Sequence, residues 1–63
     1  MTTEEIVKKL EALKKRISWL EWAVGPMGQL HWDVAVNYDL HRDQLEAAKA
    51  ERAQLQNMLA SQN

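Results

Sequence analysis

Beginning at Ile6, the apolar positions Ile6, Leu10, Leu13, Ile17, Leu20 and Val24 advance in steps of 4, 3, 4, 3 and 4 residues. This spacing keeps one stripe of an α-helix turned toward a neighbour. It predicts a helix over about residues 3–24. Thr2 and Glu5 stand at the spacing of a capping box, and Glu4 and Glu5 suit the positive end of the helix dipole. Glu4/Lys8, Glu5/Lys9 and Glu11/Lys15 lie four apart with the acid first, the favourable order for side-chain pairs. Both glycines and the single proline fall in Gly25-Pro26-Met27-Gly28. A glycine suits the left-handed position after a helix, and a proline just beyond it cannot continue one. Residues 25–28 therefore read as a turn.

A second stripe follows. Leu45, Ala48, Leu55 and Leu59 share one helical face within a background of Ala, Gln, Glu, Lys and Arg. Arg52 occupies a position where that stripe calls for an apolar residue, and Ala48 adds little area but allows close helix approach. This helix reads as one that packs on the first.

The stretch between them is ambiguous. From Leu30 to Leu40 every even position is apolar and every odd one except Ala35 is polar. A period of two with Trp, Val and Tyr among its members is the signature of a strand. The same residues also form the helical rows Leu30/Val34/Tyr38 and Trp32/Val36/Leu40, and the first row runs without a break into the stripe at Leu45. The favoured reading is a single helix over about 29–60. In the alternative, 30–38 is extended. A lone strand has no backbone partner within its own chain, so it would pair with a second molecule as a β-ribbon. If the stretch is helical, Trp32, Val36 and Leu40 point roughly 145° from the seam at 100° per residue. One antiparallel neighbour cannot cover both faces. The fold class expected is all-α: one small domain over 1–63, built as an antiparallel two-helix hairpin within a homo-oligomeric bundle. The oligomer seam would run through Ile6, Leu10, Leu13, Ile17, Leu20, Val24, Leu30, Val34, Tyr38, Leu45, Ala48, Leu55 and Leu59.

Composition sharpens the need for a partner. The chain has 63 residues and no cysteine, which excludes disulfides and Cys-based zinc sites. Below roughly 70–80 residues a single core rarely supplies more than about 3–5 kcal/mol. Self-association into a homodimer or higher oligomer is the expected source of the missing burial. Eight basic residues face nine acidic ones, a net charge of -1, so no long-range field draws the chain to nucleic acid. The acidic start lacks the cationic and apolar regions of a secretory signal. No apolar run reaches the ~20 residues of a membrane span. Cytoplasm is the default location.

All three tryptophans fall between positions 19 and 32. Trp19 and Trp22 lie roughly 140–160° from the first seam, on a face shared with Lys8, Ala12, Lys15 and Ala23. They could pack against another subunit of the same protein, or anchor a different one. Tryptophan is enriched in binding hot spots because it buries a large area at small entropic cost. Lys15, one turn away, could add a cation–π contact. The candidate partner-binding residues are thus Trp19, Trp22, Lys15 and Trp32.

Other chemistry is sparse. His31, Asp33, Asn37 and His41 include two imidazoles and a carboxylate, but not at the spacing of a known zinc motif. No metal or other cofactor is expected. His41 and Arg52 read as polar seam positions that set register and oligomer state. No phosphate loop or nucleophile motif is present, and a chain this short does not enclose a substrate pocket of the usual ~300–1,000 Å³. An enzyme is not expected. Lys8, Lys9, Lys14, Lys15 and Arg16 are interleaved with acids, which disfavours nucleic acid, and the same mixing disfavours membrane binding. Met27 continues the seam spacing from Val24 into the turn, and Met58 reads as filler near the end of the second helix. The function expected is a small oligomeric regulator, an inhibitor or adaptor, that docks on a larger protein through its tryptophans. The alternative is a structural coiled-coil or bundle element.

Overall fold

The computed structural model describes residues 1–62 and is an all-α helical hairpin. Helix α1 runs Thr3–Val24, a single 3-10 turn covers Gly28–Leu30, and a short helix α2 spans Trp32–Ala35. Helix α3, Tyr38–Ala60, returns along α1.

The start of α1 is the capping box the sequence calls for. The Glu5 amide donates to Thr2 Oγ1 at 3.2 Å, and the Thr2 amide donates to Glu5 Oε1 at 3.3 Å. Donation from the Thr2 side chain and backbone holds the Glu5 carboxyl below its ordinary pKa. Of the three acid-first pairs, Glu4–Lys8 closes at 3.7 Å. It is exposed to solvent and contributes little.

The end of α1 differs from the expectation. No glycine among the described residues has a positive φ. Gly25 is extended, with φ -84° and ψ 177°, because the ring of Pro26 pushes the residue before it out of the helical region. Gly28 answers a different need, close approach. A Cβ there would lie 2.3 Å from the Trp22 carbonyl oxygen and 2.5 Å from that of Ala23. The Gln29 side chain secures the same junction, its Nε2 donating to the Ala23 carbonyl at 2.9 Å. Ala23, assigned by periodicity to the back face, is fully buried as a result.

The connector is neither of the two forms the sequence allowed. There is no strand among the described residues, and the helix expected over about 29–60 is broken twice. His31 is extended, with φ -100° and ψ 108°. Asn37 leaves the helical region at φ -105° and ψ 27°, and its carbonyl then accepts the first bond of α3, from the His41 amide at 2.9 Å. Length supplies the reason. At 1.5 Å per residue α1 offers about 33 Å of packing surface, whereas a helix over 29–60 would measure about 48 Å. The break at Asn37 leaves α3 about as long as α1, and the residues before it fold over the end of α1. At the opposite end Gln62 ties the termini together, donating to the Met1 carbonyl at 2.9 Å and meeting the Thr3 hydroxyl.

The core follows the two stripes. Ile6, Leu13, Ile17 and Leu20 of α1 are buried against Leu45, Ala48 and Leu55 of α3, with Leu10, Val24 and Leu59 packed at the margin. Leu30 and Tyr38, expected to prolong the seam, are exposed, and Val34 is half-buried. The break at Asn37 removes Leu30 and Val34 from the α3 register, whereas Tyr38 is the first residue of α3 and lies at its exposed end. The molecule is long for its mass. Its radius of gyration is 14.0 Å, against about 10.6 Å for a compact chain of this length.

Candidate functional site

The hairpin's turn end gathers the aromatic residues. Trp19 and Trp22 occupy the last two turns of α1, with ring centroids 6.3 Å apart. Each meets a histidine from another element. The His41 ring stands edge-on to Trp19 at 5.2 Å and an interplanar angle of 89°. The His31 ring lies 5.4 Å from Trp22. The order His41–Trp19–Trp22–His31 thus joins the first turn of α3, α1 and the connector. Such edge and tilted pairs orient aromatic rings beyond simple area burial. The His41 Nδ1 atom is buried there with no hydrogen-bond partner.

These rings are not core. Trp19 is 49% exposed and Trp22 39%, while Trp32, on α2, is 81% exposed. Met27, Leu30 and Val36 of the connector and Leu40 in the first turn of α3 are exposed as well. Trp32 and Val36 stand one helical turn apart, the Val36 amide donating to the Trp32 carbonyl at 3.0 Å. Of the candidate partner-binding residues, the structure brings Trp19 and Trp22 together and puts Trp32 at the same end. Lys15 is separate. It lines a shallow open groove with Glu11, Lys14 and Ser18. The cation–π contact found among the described residues is a different one, Arg42 over the Tyr38 ring at 5.9 Å.

Periodicity did not reveal the two histidines as aromatic partners. His31 and Trp22 are nine positions apart across a turn, and only the folded connector brings their rings together. The row Asp33, Asn37, His41 is interrupted at Asn37. No group of three or more His, Asp or Glu among the described residues is placed to hold a metal ion. Among the described residues, no helix is long and apolar enough to cross a membrane. Along the side of the hairpin, Leu13, Arg16, Gln44, Ala47 and Ala48 line an open groove of about 620 Å³.

No protein-family model matches the chain, and no curated protein or solved structure matches it either. The fold and the site define it as an all-α hairpin with an exposed aromatic end.

Proposed function

We propose that the protein is a small protein-binding regulator, an inhibitor or adaptor, that docks on a larger protein through the tryptophan end of the hairpin. One observation carries the reading. Three tryptophans and several large aliphatic side chains stand exposed at one end, while the helical seam beside them is closed by the chain's own residues. Binding rather than catalysis is the role such a surface suits.

Self-association belongs to the shaft in this reading. The accessible surface is 4743 Å², against about 4,200 Å² for a compact monomer of this mass. A second copy laid along the groove at Ala47 and Ala48 would cover part of that excess. The alternative role, a structural bundle element, needs this contact alone.

The test is the double variant Trp19→Ala with Trp22→Ala, joined by the single variant Trp32→Ala. Light scattering should give an unchanged mass and circular dichroism an unchanged helicity. Capture of a partner, identified by mass spectrometry and reconstituted from purified protein, should be lost. Retained capture by both variants would overturn the proposal. Loss of folding in the double variant would make Trp19 and Trp22 structural and leave Trp32 to decide.

A further inference from the structure

The exposed aromatic end has a net negative charge. Between Arg16 and Arg42 the charged residues are Glu21, Asp33 and Asp39, with no Lys or Arg among them. All three are exposed. Arg42, the first cation beyond, is held by Asp39 and Asp43 at 3.5 Å each, so extending the segment to Asp43 leaves its net charge at -3. The remaining chain, with seven basic and five acidic residues, is net +2. A nearly neutral protein is therefore polarised along its length.

Asp33 and Asp39 stand in the first turns of α2 and α3, where the helix dipole favours an acid, but helix stability does not account for Glu21. Glu21 lies at the negative end of the α1 dipole, and the last turn of α1 has no basic residue, although a cation is what that position favours. A local rule broken at an exposed site, with no structural gain in return, points to binding.

We infer that the surface around Trp19, Trp22 and Trp32 receives a cationic amphipathic helix of another protein. Leu or similar side chains would meet the tryptophans, and flanking Lys or Arg would meet Glu21, Asp33 and Asp39. This rests on the docking role proposed above and adds the chemistry of the partner. The exposed side chains at this end present on the order of 800 Å² of apolar surface, the amount one partner contributes to a standard interface. A second copy docked end to end would set -3 against -3. An anionic lipid surface would meet the same repulsion.

The experiment uses the full chain and two synthetic helical peptides without tryptophan. Both carry Leu on one face; one carries Lys on the other face and the second carries Glu. Binding is followed by the protein's own tryptophan emission and by calorimetry at about 0.01 M and about 1 M salt, where the screening length is roughly 30 Å and roughly 3 Å. At low salt the Lys peptide should bind roughly tenfold more tightly, as three exposed charge pairs imply, and high salt should close the gap. The triple variant Glu21→Gln, Asp33→Asn, Asp39→Asn should abolish the preference, and Trp32→Ala should weaken both peptides. Equal binding of the two peptides would overturn the inference and leave the tryptophan surface standing as a docking site. A preference that survives the triple variant would overturn it by moving the charge selection elsewhere. Binding of neither peptide would overturn it too, as would a self-association that Trp32→Ala dissolves.

Discussion

Replacing Gly28 by alanine tests how the connector is joined to α1. The added Cβ would lie 2.3 Å from the Trp22 carbonyl oxygen, 2.5 Å from the Ala23 oxygen and 2.7 Å from the Ala23 carbonyl carbon. All three are backbone atoms in the last turn of a helix, so no side chain can swing aside to make room. The connector must lift. Overpacking of this kind costs about 1–3 kcal/mol, and lifting also strains the Gln29–Ala23 hydrogen bond, which contributes about 0.5–1.5 kcal/mol. The total, about 1.5–4.5 kcal/mol, is a large part of what a domain of this size commands. Gly25→Ala is the matched control. Its φ of -84° is open to alanine, and the nearest atom to its Cβ is the Glu21 carbonyl oxygen at 3.0 Å. The reduced freedom of the unfolded chain, worth about 0.4–1 kcal/mol, offsets that tight contact. Thermal and urea unfolding followed by circular dichroism should place Gly28→Ala at least about 6 °C below the parent, with Gly25→Ala within a few degrees. Equal stability of Gly28→Ala and the parent would refute the close packing of connector on helix.

Other outcomes follow from the same structure. Leu20 is 2% exposed, and Leu20→Ala should cost about 2–5 kcal/mol, enough to abolish the cooperative helical transition in a melt. Gln29→Ala should lower stability by about 0.5–1.5 kcal/mol without altering helix content, read from urea titration. The folded-state pKa of Glu5 is depressed, so its contribution is present above the unfolded carboxylate pKa and lost as pH falls through the folded one. Thr2→Ala should raise the Glu5 pKa toward its ordinary value, as read by NMR titration, and remove that part of the acid dependence. In each case an unchanged measurement counts against the contact named.

The two seams were legible because burial on one face of a helix imposes a repeat that no other structure shares. Ile6 to Val24 and Leu45 to Leu59 lie where that repeat puts them. The capping box was legible for a similar reason, since Thr2 and Glu5 are three residues apart and need nothing distant. Residues 29–37 were not. Their alternation fits a strand, their rows fit a helix, and both patterns satisfy the same apolar side chains. What decides between them is the length of α1, a distant property that no local window contains.

The sequence by itself determined the first helix, the stripe on which the second packs, the end of the first helix at Gly25-Pro26 and the displacement of Trp19 and Trp22 from the seam, because each depends on neighbours within a few positions. Only the tertiary structure decided that Gly28 is a packing residue, that His31 and His41 face the tryptophans, and that Leu30 leaves the seam. Those depend on the connector folding back over the end of α1, and that fold exists because an unbroken second helix would have outrun the surface it packs on.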